Sequence, residues 1–413
     1  MKILFLNAYF APETIAFTHL ETDLINGLLE AGHEITVLCP APSRAISDEV
    51  RKAYRKRKNE TLYNGHVTVH RFSAPKEGKN PILRAFRYFW CNARELRIAK
   101  KYKDIDLVFA VSTPPTQGLL AGKVAKHLHC PFIYSLQDVF PDSLVTTGLS
   151  KKGSLLWKIG RKIENKTYMG ADKIVVISKA IKRNLLAKGV SADKLVAIPN
   201  WIDTDAVCRI PKDKNRLYEE FNIERDKFTV LYAGNLGAAQ GADVILDAAK
   251  LLRENAGIQF VIFGGGSEFA TAKARAEGLE NVFIHPLLPQ NRVPEVYSLG
   301  NLALITCKAG TGNAGMPSKT WTVMACDTPI LAAFDTDSEL ASILTQASAG
   351  HCVDPENAEA LAEAILASFA QADEERPNGG RAYVEQFASK ELCVGKYVEL
   401  FQSAKLSKKS KEV

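Results

Sequence analysis

Short runs of β-branched and aliphatic residues alternate along the chain with stretches in which apolar residues recur every three or four positions, the pattern of strands interleaved with amphipathic helices. The first half opens with KILFLNA at 2–8, passes to a helical pattern at 18–31 and returns to EITVLC at 34–39. Further strand-like runs fall at 67–72, 107–111, 132–136 and 173–177, with helical patterns near 83–103, 117–128, 153–169 and 179–188. Short apolar strands separated by helices predict a parallel sheet covered by helices on both faces.

At PNWID, residues 199–203, a strand-like run ends in a turn-forming cluster, and a polar stretch follows to about residue 226. The rhythm then restarts, with strands predicted at 229–233, 259–263, 282–285, 302–306 and 330–333. Helices are predicted between them at 241–255, 267–277, 292–298, 317–326 and 337–346, and after them at 357–370. The expected fold is therefore α/β, two Rossmann-like doubly wound domains facing across a cleft: residues 1–203 and 204–385. A helix at 386–404 is expected to pack back on the first domain, ahead of a basic tail at 405–413. In such folds ligands sit at the carboxyl ends of the strands, so chemistry is sought in those loops.

The length of 413 residues suits two domains, and 46% hydrophobic with 24% charged residues suits a folded globular chain. No uncharged apolar run reaches eighteen residues and the first residues lack the features of a signal peptide, so a cytoplasmic protein with at most peripheral membrane contact is expected. The eight cysteines stand singly, without zinc spacing, and read as buried thiols. Charge is unevenly divided: residues 1–200 carry +15 and residues 201–413 carry −8, which points the first half alone toward an anionic surface or substrate. The stretch 79–103 interleaves Leu83, Phe86, Phe89 and Trp90 with Arg84, Arg87, Arg94 and Arg97, and RKAYRKRK at 51–58 adds cations. A helix of that kind either buries its aromatic face or lies on an anionic bilayer.

Gly234-Asn235-Leu236-Gly237 with Gln240-Gly241 follows a predicted strand and opens a helix, an arrangement that offers backbone N–H groups to a phosphate and equally serves a bare turn. Gly264-Gly265-Gly266 repeats it after the next strand. The loop KAGTGNAGMPSK, residues 308–319, ends with Pro317 at an expected helix start and Ser318 and Lys319 in the first turn. A lysine there opposes the helix dipole, and a bound anion would account for it; a solvated surface lysine is the plain alternative. In the first half the loops YFAPET (9–14) and LQDVFPDS (136–143) follow strands, and Glu13, Asp138 and Asp142 are either substrate contacts or turn residues. HExxH, GxSxG and GxxxxGK[ST] do not occur, which removes support for a zinc protease, a serine hydrolase of that type and a P-loop nucleotidase.

In order along the chain stand GHEITV (32–37), ADKIVVIS (171–178), PNWID (199–203), YAGNLGAAQG (232–241) and PSKTWTVMACDTPIL (317–331). With these motifs the chain resembles the family 4 retaining glycosyltransferases of GT-B fold over nearly its full length, and within them the bacterial WbuB-type transferases of O-antigen and capsule synthesis. The resemblance implies transfer of a hexose or N-acetylaminosugar from a nucleotide-sugar, UDP-linked by expectation. The implied acceptor is a polyprenyl-pyrophosphate-linked saccharide at the inner face of the cytoplasmic membrane. Asp138 and Lys319 are the implied catalytic residues; Gly234, Asn235, Gly237, Gln240, Gly265, Leu287, Ser318, Lys319, Thr322 and Glu339 the implied donor contacts; Pro12, Glu13 and Thr14 the implied acceptor contacts. Neither cofactor, metal nor nucleic-acid partner is expected. The chain departs from the family pattern where a pair of glutamates is usual, at Ala314 and Thr322, where Arg and Lys are usual, at Asn235 and Gln240, and at Gln137 in place of His. Glu339 is the expected substitute at the ribose. A nucleotide-sugar epimerase of the same fold, or an inactive scaffold, are the competing readings.

Overall fold

The computed structural model describes residues 1–413 apart from 14, 16, 45, 79, 147–149, 313–314, 373–377 and 410–413. The chain forms two compact units, Met1–Pro199 with Cys393–Val413, and Asn200–Leu392. Residues 200–203 and 386–392, assigned from the sequence to the first domain and its returning helix, group with the second unit. Ile202 N donates to Ala388 O and Lys390 N to Ile202 O, both at 3.0 Å, and the Lys390 ammonium pairs with Asp203.

The first unit carries strands β1 (Lys2–Leu6), β2 (Glu34–Pro40), β3 (Asn59–Leu62), β4 (Val67–Phe72), β5 (Leu107–Val111), β6 (Phe132–Leu136), β7 (Lys173–Val176) and β8 (Leu195–Ala197). Their order is β3-β4-β2-β1-β5-β6-β7-β8, parallel except for the edge strand β3, which runs antiparallel to β4. Strands β5 and β6 are buried at every position because helices cover both faces of the sheet, as their unbroken apolar composition requires. In the second unit β9 (Phe228–Asn235), β10 (Ile258–Gly265), β11 (Val282–Pro286), β12 (Leu302–Thr306), β13 (Ile330–Ala333) and β14 (Gly350–Val353) are all parallel, in the order β11-β10-β9-β12-β13-β14. Each sheet is thus a doubly wound one in which the strand order reverses beside the opening strand: between β1 and β5, and between β9 and β12. A crevice opens at the carboxyl ends of the strands at such a reversal.

The helix Lys390–Lys409 completes the first unit. Its Tyr397 and Phe401 rings lie 6.3 and 5.3 Å from Phe109, the Tyr397 hydroxyl is 3.0 Å from Ser135 Oγ, and Lys405 pairs with Asp106 at 2.8 Å.

The helix Pro81–Ala99 is built contrary to the usual sense. Its buried face is Arg87, Cys91, Glu95 and Ala99, while Leu83 (64% exposed), Phe86 (62%), Phe89 (62%) and Trp90 (43%) face out. Arg87, counted from the sequence among the surface cations, is interior. Its Nε donates to Pro75 O at 2.9 Å, and Nη2 donates to Ser43 Oγ at 3.1 Å. Glu95 accepts two hydrogen bonds from Gln117 Nε2, at 3.0 and 3.1 Å, and burial raises its carboxyl well above the usual range. Lys79 lies outside the described residues. Among those described, no helix is long and apolar enough to cross a membrane. Six cysteines are buried, but Cys208 is exposed and Cys352 half-buried, the former because it falls in the polar stretch that leads away from Asp203.

Candidate functional site

Most of the donor candidates lie at the ends of, or in the loops after, β9, β10, β11 and β12, while Glu339 follows β13. Strand β9 runs on through Gly234 and Asn235, and Tyr232 Oη donates to Asn235 O at 2.7 Å, holding the turn. Gly234 has φ +144°, and a Cβ there would lie 2.7 Å from Lys319 Nζ. Only glycine lets the ammonium lie against this stretch of backbone. The Nζ atom also stands 3.9 Å from the centroid of the Tyr232 ring, an arrangement in which the ring's negative face attracts the cation. Among the described residues Lys319 pairs with no carboxylate, and desolvation brings its pKa down to about 7. Its Nζ lies against an aromatic face and a glycine backbone, and no carboxylate among the described residues balances it.

The neighbouring loops interlock. Asn235 Nδ2 donates to Gln240 Oε1 at 3.1 Å, and a Cβ on Gly237 would meet both side chains at 2.8 and 3.0 Å. Leu236 N donates to Gly265 O at 2.6 Å and Leu287 N to Gly264 O at 3.0 Å, so the ends of β9, β10 and β11 are tied in sequence. Gly266, φ +120°, passes so close that a Cβ would meet Asn235 Oδ1 at 2.3 Å. The β12 loop is held by two carboxylates that sequence reasoning did not find. Asp335 accepts from Gly310 N (2.9 Å) and Gly312 N (2.7 Å), and Glu356 accepts from Ala309 N (3.0 Å).

Two helix boundaries differ from expectation. Pro317 precedes the cap rather than opening the helix, which is Lys319–Ala325 with Ser318 as an exposed N-cap, so Lys319 is its first residue. After β9, a 3₁₀ turn at Ala238–Gln240 intervenes before the helix Asp243–Leu251, and the Asn235–Gln240 pair, rather than a helix start, faces the glycine turn. Thr322 lies one turn into the Lys319 helix, half-buried, and Ala314 is outside the described residues. Glu339 opens the helix Glu339–Gln346, whose N-cap Ser338 accepts from Ala341 N at 3.3 Å, and its charge raises the nearby Tyr383 phenol after burial has done so.

In the first unit Asp138 follows β6. Its backbone N–H and that of Gln137 donate to Ser112 Oγ, at 3.3 and 2.9 Å, which fixes the loop to the end of β5. Asp138 is exposed, yet borders a recess walled by Tyr134, Leu136, Phe140 and Tyr168, and loss of solvation raises its carboxyl. Asp142 is a structural ion-pair partner, 2.7 Å from Lys188. Glu13, expected to touch an acceptor, is instead 1% exposed with both oxygens committed: it accepts from Phe10 N at 3.3 Å, Ser43 N at 2.8 Å and Arg44 N at 2.9 Å. It staples the loop after β1 to the loop after β2. Pro12 is half-buried beside it, and Thr14 lies outside the described residues. At the reversal beside β1, Asn7 Nδ2 donates to Glu21 Oε1 at 2.5 Å, and full burial pushes the Glu21 carboxyl up to about 8. The sequence hinted at this pair only by placing an acid on the apolar face of the helix Thr18–Glu30.

Residues 22–206 match Glycosyltransferase Family 4, and residues 213–379 match Glycosyl transferases group 1. The chain is 25% identical over 379 residues to WcaI of Escherichia coli strain K12, named as a colanic acid biosynthesis glycosyl transferase, with 88% of this chain and 91% of WcaI covered. It is 26% identical over 300 residues to WbjE of Pseudomonas aeruginosa, named as a glycosyltransferase, covering 71% and 74% of the two chains. Among solved structures, sucrose-phosphate synthase from Thermosynechococcus elongatus superposes with a TM-score of 0.74 at 16% identity, over 97% of this chain and 98% of that one. HepE of Anabaena, in complex with UDP, gives 0.71 at 18% identity over 98% and 100%. At such identities these structures establish likeness of fold.

Proposed function

Because the chain belongs to the glycosyltransferases of Family 4 and group 1, and is thereby a glycosyltransferase, we propose that it acts in bacterial surface polysaccharide synthesis. In this reading it moves a hexose or N-acetylaminosugar from a UDP-linked donor to a saccharide on a polyprenyl diphosphate. The observation that carries the donor half is Lys319, an amine against the backbone of Gly234 that pairs with no carboxylate among the described residues, at the reversal of a parallel sheet. A diphosphate seated there gains the counter-charge of Lys319 and the hydrogen bonds of the glycine loops, and these grow as the leaving group takes on charge. The leaving diphosphate takes the acceptor hydroxyl's proton on the face it departs from, so the sugar keeps its anomeric configuration and no protein nucleophile is needed. Asp138 orients a sugar or acceptor hydroxyl by hydrogen bonding. The relatives' names, one a colanic acid biosynthesis glycosyl transferase and the other a glycosyltransferase, favour this over an epimerase.

The protein works, in this reading, at the inner face of the cytoplasmic membrane, held there by the outward aromatic face of Pro81–Ala99. The helix Leu155–Gly170 supplements it with exposed Leu155, Leu156 and Ile159 beside Lys151, Lys152 and Lys158. A panel of UDP, GDP and TDP sugars, with donor hydrolysis and product anomer read by NMR, tests the reading. Turnover of a UDP-sugar with retention supports it, and failure to bind any nucleotide-sugar overturns it. Asp138→Asn is expected to lower turnover at least tenfold with an unchanged melting temperature; the reverse result makes Asp138 a turn residue.

A further inference from the structure

A strongly basic recess lies away from the donor loops, in the first unit. A cavity of 310 Å³ opens at the carboxyl ends of β2 and β4, lined by Arg51, Arg55, Arg57, Lys58, Arg71 and Lys76. Two carboxylates serve these six cations: Asp48 pairs with Arg51 at 2.9 Å, and Glu60 is shared between Arg71 at 3.3 Å and Arg57 at 3.8 Å. Arg55, Lys58 and Lys76 have no carboxylate partner among the described residues, which leaves the cavity with a surplus of about four positive charges, a field that concentrates phosphate-type anions. Arg71 is the built part of the wall. Its side chain is 2% exposed, its guanidinium lies 4.9 Å from the Tyr54 ring and 5.6 Å from Phe10, and Nη2 donates to Ala11 O at 2.6 Å. Its Nε–H, shut off from water, finds no acceptor among the described residues. A buried cation with an unmatched donor is costly to maintain for packing alone.

The cavity is joined to the loop after β1 from two sides. Arg71 holds Ala11 O, and Glu13 of that loop binds the amides of Ser43 and Arg44, of which Ser43 lines the cavity. We propose that this cavity is an anion site that seats the phosphate or diphosphate group of the acceptor, with Arg55, Lys58 and Lys76 as its mobile cations and Arg71 as its fixed one. The proposal deepens the function proposed above and rests on it only for the word acceptor. The anion site stands on the geometry by itself.

The test is calorimetry of inorganic pyrophosphate with the full chain, in the presence of saturating UDP so that the donor loops are filled. Binding under those conditions, weakened tenfold or more in the double variant Arg55→Gln/Lys58→Gln with UDP affinity unchanged, is the expected result. Pyrophosphate binding that UDP abolishes, or that the double variant leaves intact, overturns the proposal. Vesicles of phosphatidylcholine doped with a polyprenyl diphosphate, set against vesicles matched in charge with phosphatidylglycerol, then identify the source. Preferential capture of the first, lost in the variant, supports a lipid-borne diphosphate. Binding of soluble pyrophosphate without vesicle preference supports a soluble phosphorylated acceptor. Equal loss on both vesicles makes the cluster a mere membrane-charge surface and overturns the cavity reading. Failure of wild-type protein to bind UDP counts against the donor assignment instead, and leaves the pyrophosphate result to be judged alone.

Discussion

Lys319 sits in a desolvated position with no carboxylate partner among the described residues, so its proton is held loosely, with a pKa of about 7 against an ordinary value of 10.5. The unfolded chain therefore binds that proton more tightly than the folded one. Folding stability gains from this residue as pH rises from about 7 to 10.5, and the burden is fully present below 7. A bound diphosphate reverses the shift by supplying the missing negative charge, so donor binding above pH 7 must take up a proton. Calorimetry of UDP at pH 8, in buffers of different ionisation heat, is expected to show that uptake in the wild type and none in Lys319→Ala. Equal uptake in both would assign it to another group. The same variant is expected to lower turnover by about 2–4 kcal/mol of transition-state stabilisation, the range for removing a preorganised donor. Gly234→Ala probes the contact from the other side. Its φ of +144° already disfavours a side chain, and the new Cβ occupies the place of Nζ, so turnover should fall toward that of Lys319→Ala while strain costs about 1–3 kcal/mol of stability. Full activity in Gly234→Ala would mean that Lys319 works from elsewhere.

At the scale of elements, what the pattern revealed and what it hid have one cause. Strands such as β5 and β6 lie between two helical layers and are apolar at every position, so they stand out against any background. The edge strand β3, NETL, has one neighbour and a solvent face, and the helix Asp48–Tyr54, DEVRKAY, buries nothing; neither carries a periodic apolar signal. The glycine turns after β9 and β10 were legible because close backbone approach demands glycine. The carboxylates of Asp335 and Glu356 were not, because their amide partners lie 23 to 47 residues away in sequence. The helix Pro81–Ala99 stayed open between two readings for a related reason: hydrophobicity alone cannot say that Arg87 and Glu95 point in and Phe86, Phe89 and Trp90 out. That inversion gives a sharper membrane test than charge counting. Binding of the protein to phosphatidylglycerol vesicles should fall by more than tenfold in Phe86→Ser/Phe89→Ser, decline with salt as surface cations are screened, and survive Arg87→Lys where the fold does. Retained binding in the double variant would remove this face from the membrane.

For the whole molecule the decisive feature is that the first unit is closed by the end of the chain. The path leaves it at Pro199 and returns at Cys393, and Tyr397 and Phe401 then enter the core formed by β1 and β5, where Phe5 and Phe109 already stand 4.8 Å apart. Val394 also occupies the space that a side chain at position 27 would need, since a Cβ on Gly27 would approach it to 2.1 Å. The first unit is therefore incomplete until the second has been synthesised, and its stability depends on a helix that follows the second unit in sequence. Phe401 is fully buried, and Phe401→Ala should cost about 3–5 kcal/mol through the lost transfer energy and the cavity left behind. The cost is expected in the first unit, because the second keeps its own sheet and core. Calorimetric unfolding of the variant should separate a transition moved to lower temperature from one that UDP still shifts upward, as a ligand that binds only folded protein must do. A single transition displaced as a whole, with UDP affinity lost in proportion, would mean instead that the two units fold as one cooperative body.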